Sequence, residues 1–297
     1  MDFQLLKLED KELVNSYLAG TEPRLISYNF TNFYLYRNWE PYRWAVVDKA
    51  LVFKSEYRGY DNILVPISAD EQAILAATER MIDWFARRGA EFIISEVSDD
   101  ALTLYEKYWP GRFRAEEYRG GFNYIYLRDQ LLNLSGRKFA PKRNHLRRFR
   151  ENNPGHQLLP LDAAMTASCK QQAQRWRQLR GGANPELDYE LCGIIDALDN
   201  FASLDSVGCC VVIDGKLEGF CFGEPLNSDT FCVHIEKANT EIAGIYQALN
   251  QAFVRDYTAG YTYINRAEDM DDAGQRRAKL SYNPCRLEKY YYLRLAQ

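Results

Sequence analysis

Carboxylates and cations spaced for contact with a polar substrate gather in the last third of the chain. His234 and Glu236 stand two residues apart in the run Thr230–Glu236, where alternation puts both on one face of a strand. Glu224 closes the preceding run in phase with Phe220 and Phe222, and Arg266-Ala267-Glu268-Asp269 follows the run Thr262–Asn265. That second position is the carboxyl end of a strand, where open α/β folds hold ligands. Lys279, Tyr282 and Arg286 come next. Carboxylates suit an ammonium group, whereas Arg and Lys suit phosphate or carboxylate. Glu224, Glu236, Glu268 and Asp269 are therefore candidates for ammonium recognition, and Lys279 and Arg286 for anion contact. His234, Asn265, Arg266 and Tyr282 complete the candidate binding set. No residue is singled out as the catalytic group.

A second concentration of charge is "GRKFAPKRNHLRRFRENNPG", residues 136–155, with seven basic residues and no acidic one between Arg137 and Arg150. The whole chain carries a net charge of −4, so this segment sits on an acidic body. Such a distribution favours a local anion site over a general nucleic-acid surface. Pro141 fits the first turn of a helix and Asn153-Pro154-Gly155 ends it. On that helix Leu146 and Phe149, with Phe139 ahead of them, form a narrow apolar stripe between Lys142, Arg143, Arg147 and Arg148. Arg137, Lys138, Lys142 and Arg143 are the expected anion contacts.

Other chemistries lack a signature. The three histidines, at 145, 156 and 234, have no metal-ligand spacing, so no metal is expected. There is no GxxxxGK loop and no GxSxG elbow. Seven cysteines without a CxxC pair read as reduced, mostly buried thiols of a cytoplasmic protein. The N-terminal residues lack a signal-peptide core, and no apolar run approaches the ~20 residues that cross a bilayer.

The elements that must position these residues occur twice. Ser68-Ala69-Asp70 caps a helical pattern through Ile74, Leu75, Thr78, Met81, Ile82 and Phe85, followed by a strand at Phe92–Val97 and a helix opened by Asp99-Asp100. Two strand-like runs, Phe113–Tyr118 and Phe122–Leu127, follow. In the second half a hairpin around Asp214-Gly215-Lys216 repeats the one around Asp48-Lys49. A helix after Thr240-Glu241, a strand at Thr262–Asn265 and an acidic helix start at Asp271-Asp272 repeat the rest, with one closing strand over Arg286–Leu295. The spacing between copies predicts an internal duplication with its join near Asn153-Pro154-Gly155.

This order of helices, antiparallel strands, and then strand, helix and strand resembles the GNAT acyltransferase fold. In tandem it resembles the GNAT-like aminoacyl-tRNA-dependent transferases. Three stretches carry a closer likeness: "NLSGRKFAPKRNHLRRF" (133–149), "GFCFGEPLNSDTFCVHIEKA" (219–238) and "YTYINRAEDMDDAGQRRAKLSYNPCRLEKYY" (261–291). They resemble the soluble C-terminal part of phosphatidylglycerol lysyltransferase. The resemblance implies an α/β (α+β) fold with two tandem GNAT-like domains, 1–153 and 154–297, built from mixed sheets flanked by helices. The second would carry the active site.

It further implies a transferase moving an aminoacyl group from aminoacyl-tRNA, or another acyl group from acyl-CoA, onto an amine or hydroxyl. The acceptor would be a small molecule or a lipid headgroup, tRNA the partner, and no other cofactor is required. Two departures stand out. The segment Lys237–Gly244, where acetyl-CoA-dependent relatives carry a Gly-rich loop, has a single glycine and an acidic Glu241. The membrane-spanning part of the lipid lysyltransferases has no counterpart in this sequence. The alternatives are an acyl-CoA-dependent N-acyltransferase and a non-catalytic module of the same fold that binds a polar small molecule or an RNA end.

Overall fold

A computed structural model describes residues 1–57 and 59–296. The chain divides into two compact units, each built around one mixed seven-stranded sheet. Unit 1 comprises Met1–Asn123, Glu268–Ala273 and Leu287–Gln297; unit 2 comprises Tyr124–Ala267 and Gly274–Arg286.

The chain enters unit 1 through β1 (Gln4–Leu5), α1 (Lys11–Leu18) and α2 (Phe30–Tyr36). An antiparallel meander follows, β2 (Arg43–Val47), β3 (Ala50–Tyr57) and β4 (Tyr60–Leu64). Asp48 and Lys49 both take positive φ, 45° and 69°, the two-residue turn whose twist matches paired strands. Next come α3 (Glu71–Ala86), β5 (Ile93–Val97), α4 (Asp99–Tyr108) and β6 (Phe113–Glu117). Asp70 caps α3 by accepting the Gln72 N–H at 2.9 Å, and Ala73, Ala77, Met81 and Phe85 bury its inner stripe. Ile74 and Ile82 pack at the margin of that core. Because β4 and β5 are parallel, α3 is the crossover between them.

Unit 2 opens with β7 (Asn123–Leu127), α5 (Arg128–Asn133), α6 (Ala140–Asn152) and β8 (Gln157–Pro160). Two helices, α7 (Thr166–Arg180) and α8 (Pro185–Asp199), precede β9 (Val207–Ile213), β10 (Lys216–Pro225) and β11 (Thr230–Ala238). Asp214 and Gly215, at φ 50° and 77°, repeat the hairpin turn of unit 1. The crossover α9 (Ile245–Tyr257) leads to β12 (Tyr263–Asn265), parallel to β11. α10 (Ala273–Leu280), β13 (Arg286–Glu288) and β14 (Tyr291–Leu295) finish the chain.

The sheet orders, β1-β2-β3-β4-β5-β14-β6 and β13-β7-β12-β11-β10-β9-β8, are one pattern with a reciprocal exchange. In each sheet the strand beside the parallel pair comes from the other half of the sequence. β14 lies between β5 and β6, and β7 lies beside β12. Two expectations are corrected by this. The compact units are not the halves 1–153 and 154–297, because β7, α5 and α6 already belong to unit 2. The basic helix α6 is part of unit 2 and not a joint after a finished first copy. The closing strand is also two strands in two sheets, parted at Lys289-Tyr290. Tyr290 packs on Gly121 so closely that a Cβ there would lie 2.7 Å from its ring, and Tyr118 N–H bonds the Tyr290 carbonyl at 3.0 Å.

Candidate functional site

Parallel pairing of β11 with β12 covers only Thr230↔Tyr263, Phe231↔Ile264 and Cys232↔Asn265, while β11 runs on to Ala238. Beyond Asn265 the chain leaves the sheet. Arg266 N–H bonds the Tyr124 carbonyl at 3.0 Å, Ala267 N–H bonds Asn265 Oδ1 at 2.9 Å, and Ala267 turns left-handed at φ 56°. The two strands part there, and the side chains of Glu236 and Arg266 meet in the opening.

Arg266 Nη2 donates to Glu236 Oε2 at 2.6 Å, with each side chain 12% exposed. The guanidinium lies 4.8 Å from the Tyr282 ring and 5.7 Å from the Tyr126 ring. Lys142, from α6, places Nζ 3.9 Å from the same Tyr282 ring and donates to Ser281 Oγ at 2.6 Å. Burial, then repulsion by Arg266, lowers the Lys142 ammonium to about 8, against the pull of Glu236. Burial disfavours the Arg266 charge as well, but Glu236 outweighs it and the group stays a guanidinium. Burial pushes Tyr282 up to about 12, with Arg266 opposing.

Glu236 Oε1 and Arg266 Nη1 are buried and have no hydrogen-bond partner. A buried polar atom left unmatched costs on the order of 1–3 kcal/mol, and more when charged. The ion pair thus keeps one acceptor and one donor for a polar ligand. Oε1 suits an ammonium or hydroxyl proton; Nη1 suits a carbonyl, carboxylate or phosphate oxygen.

The other sequence candidates divide into groups. Lys279 Nζ donates to the Arg266 carbonyl at 2.7 Å, and its own carbonyl accepts from Tyr126 Oη at 2.8 Å, so it fixes the turn that carries Arg266. Arg286 stacks 4.2 Å from the Tyr263 ring, and Asn265 is fully buried in the turn. Glu224 and His234 form a separate buried pair, Nε2 to Oε1 3.4 Å, with Ser206 Oγ donating to Glu224 Oε2 at 3.2 Å. Burial disfavours the imidazolium, but Cys232 and Glu224 outweigh it and raise His234 to about 10. The shared face expected for His234 and Glu236 is broken by a bulge. Ile235 pairs with Phe222 and Val233 with Gly223, which leaves His234 as the extra residue.

Glu268 and Asp269 belong to unit 1. Asp269 is fully buried; it pairs with Arg119 at 3.3 Å and accepts the Asp271 N–H at 3.0 Å, ordering its own turn. Of the four basic candidates only Lys142 reaches the Glu236–Arg266 pair. Arg143 donates to the carbonyls of Leu134 and Gly136, closing the end of α5. Lys138 lies 3.5 Å from Gln130 Oε1, and Arg137 is exposed on the turn before α6. Tyr126 was not among the candidates. It reaches the site because β7 crosses into the second sheet, and nothing in its local sequence announces that.

Among the described residues no group of three His, Cys, Asp or Glu side chains is arranged for a metal, and all seven cysteines are free. Among the described residues no helix is long and apolar enough to cross a membrane.

Comparison with curated proteins returns no match. Among solved structures, a conserved protein of unknown function from Bacteroides thetaiotaomicron is 31% identical, covers all of both chains and has a TM-score of 0.91. L-PGS from Bacillus licheniformis is 15% identical over 96% of this chain and 92% of its own, TM-score 0.69. FemX is 12% identical over 98% of this chain and 97% of its own, TM-score 0.63. The last two show a shared fold, the tandem GNAT-like arrangement. The family model for the C-terminal part of phosphatidylglycerol lysyltransferase matches residues 21–293, nearly the whole chain, and with the doubled sheets above it places this protein in the phosphatidylglycerol lysyltransferase C-terminal family.

Proposed function

We propose that the chain transfers an aminoacyl group, presented as the ester of an aminoacyl-tRNA, to an amine or hydroxyl acceptor in the opening between β11 and β12. The observation that carries this reading is the Glu236–Arg266 pair with its unpartnered acceptor and donor. An aminoacyl ester matches both: its ammonium donates to Glu236 Oε1, and its carbonyl oxygen accepts from Arg266 Nη1. The acceptor's nitrogen or oxygen attacks the ester carbon, a tetrahedral intermediate forms, and the ribose oxygen leaves with the proton. Arg266 stabilises the oxygen on which negative charge grows, and the fixed pair holds the ester in line for attack. Lys142, charged below a pH of about 8, adds contact to a phosphate of the donor.

Two features favour tRNA over acyl-CoA as the carrier. Glu218 of β10 and Glu241 of the loop before α9 flank Arg175, at 3.1 and 3.7 Å, and these carboxylates repel a pyrophosphate there. Gly244, ahead of α9, is backed by α6 so closely that a Cβ would lie 2.3 Å from the His145 carbonyl oxygen. The family's name directs attention to a lysyl group and a lipid hydroxyl, which form one arm of the test.

Purified protein is incubated with charged tRNAs and acyl-CoAs, with and without phosphatidylglycerol vesicles, and donor discharge is followed. The expected result is saturable discharge of an aminoacyl-tRNA, reduced about 100-fold in Arg266→Lys, which keeps the charge and loses the fork. Absence of both discharge and saturable tRNA binding overturns the reading.

A further inference from the structure

Unit 1 has an opening of the same construction with the opposite charge. Parallel pairing of β4 with β5 ends at Leu64↔Ser95, as that of β11 with β12 ends at Cys232↔Asn265. The first residue past the pairing is Glu96 in unit 1 and Arg266 in unit 2. Glu96 sits at φ 55°, a left-handed conformation that a glutamate holds only where its surroundings impose it. It is 9% exposed, and its Oε2 is buried without a hydrogen-bond partner.

Polar groups converge on it. Ser27 and Tyr42 hydrogen-bond the carboxylate, and Glu40 and Glu268 are close enough to repel it. Tyr28 Oη donates to the Glu96 carbonyl at 3.0 Å. Tyr28, Tyr42 and Tyr290 all feel the Glu96 charge, which adds to burial in raising each phenol. On the neighbouring strands Ser55 Oγ lies 3.4 Å from Glu40 Oε2 and 3.1 Å from Asn62 Oδ1, and Ser95 Oγ lies 2.7 Å from the same Asn62 oxygen. A polar chain therefore crosses β3, β4 and β5 where an apolar core would be expected. Among the described residues neither Glu40 nor Glu96 has a salt-bridge partner.

We propose that Glu40 and Glu96, enclosed by Tyr28, Tyr42 and Tyr290, bind a primary ammonium group. The unpartnered Oε2 of Glu96 accepts one N–H and Glu40 a second, while the phenol rings supply a cation-tolerant wall. Buried carboxylates must be paired or protonated. Burial raises Glu40 to about 7, eased by Tyr42 and Ser55; burial and then Glu40 raise Glu96 to about 8. An arriving cation therefore displaces protons. A metal ion is the weaker fit, because among the described residues Glu40, Glu96 and the nearby Glu268 are not arranged as a metal-ligand set. This site does not depend on the transferase reading of unit 2.

The test uses n-butylammonium chloride against the full chain, followed by ligand-observed NMR and by titration calorimetry in two buffers of different ionisation heat, with sodium chloride as ionic-strength control. Saturable binding that tightens from pH 6 to pH 8, about tenfold per unit for each proton displaced, with proton release, is expected. Glu96→Gln abolishes it, Glu40→Gln weakens it at least tenfold, and Glu236→Gln leaves it unchanged. No saturable binding to the wild-type chain at either pH overturns the proposal, whatever the variants do. So does equal competition by sodium, or affinity unaltered in a folded Glu96→Gln protein. Failure of tRNA discharge leaves these readings intact.

Discussion

At the scale of single residues, the same position in two copies of one unit has taken opposite charges, and each charge is handled differently. Arg266 is compensated by Glu236 and flanked by two tyrosines, so its charge persists at every ordinary pH. Glu96 has no cation beside it, and burial holds its proton on to about 8. The unfolded chain releases that proton near the ordinary glutamate value of 4.5. Between these values the folded state binds more protons, so stability falls as pH rises, and the full cost is felt above a pH of about 8. Glu96→Gln removes that proton and its share of the slope, while Glu40, raised to about 7 by burial, keeps its own. In thermal scans without added amine, the variant should match the wild type near pH 4.5 and melt several degrees higher at pH 9, at about 2–4 °C per kcal/mol for a chain of this size. Equal melting at pH 9 would mean that the carboxylate is already compensated in the folded protein.

At the scale of elements, the bulge in β11 aims the side chains around the opening. Gly223 faces it across the β10–β11 ladder, and a Cβ there would lie 1.9 Å from the Cys232 carbonyl oxygen. Backbone cannot yield as a side-chain tip can, so Gly223→Ala forces the strands apart at the bulge. A loss of about 1–3 kcal/mol, read from urea unfolding, should accompany weaker tRNA binding; wild-type stability would show that the ladder relaxes there without cost.

Much at this scale was legible in the sequence. The Asp48-Lys49 and Asp214-Gly215 turns, the Asp70 cap and the Leu146–Phe149 stripe are local signals, and each formed as read. α9 starts about a turn later than the Thr240-Glu241 pattern predicts, because Asn239 Oδ1 accepts the Glu241 N–H and Gly244 turns left-handed before Ile245. The bulge at His234 left no mark, since an inserted strand residue looks like any other until its partner is known. The Glu236–Arg266 contact was half visible. Both residues stood at strand ends, but their pairing depends on where β12 stops, which no spacing reveals. Asp269 and Glu268 looked like their equals in type, yet the exchanged chain path carries them into unit 1.

At the scale of the whole molecule, the duplication was readable as a period, but the exchange of β7 and β14 was not. Each half of the sequence holds strands enough for a sheet, and only non-local pairing decides which sheet receives the last one. β14 is an interior strand: Leu293 pairs with Ile94 on one side and Ala115 on the other, and Leu293 itself is fully buried. Without it, β5 and β6 lose their common neighbour and expose two unpaired edges. A chain ending at Tyr290 should therefore lose unit 1 selectively. Hydrogen exchange on that chain should reveal β2–β5 amides exchanging far faster than in the full protein, while β9–β11, whose sheet keeps β7 and β13, retain most of their protection. The same loss removes the frame around Glu96, so n-butylammonium binding should disappear in parallel. Protection of β2–β5 that survives the truncation would show β14 to be an ornament of the first sheet, and the duplicated halves would then be independent after all.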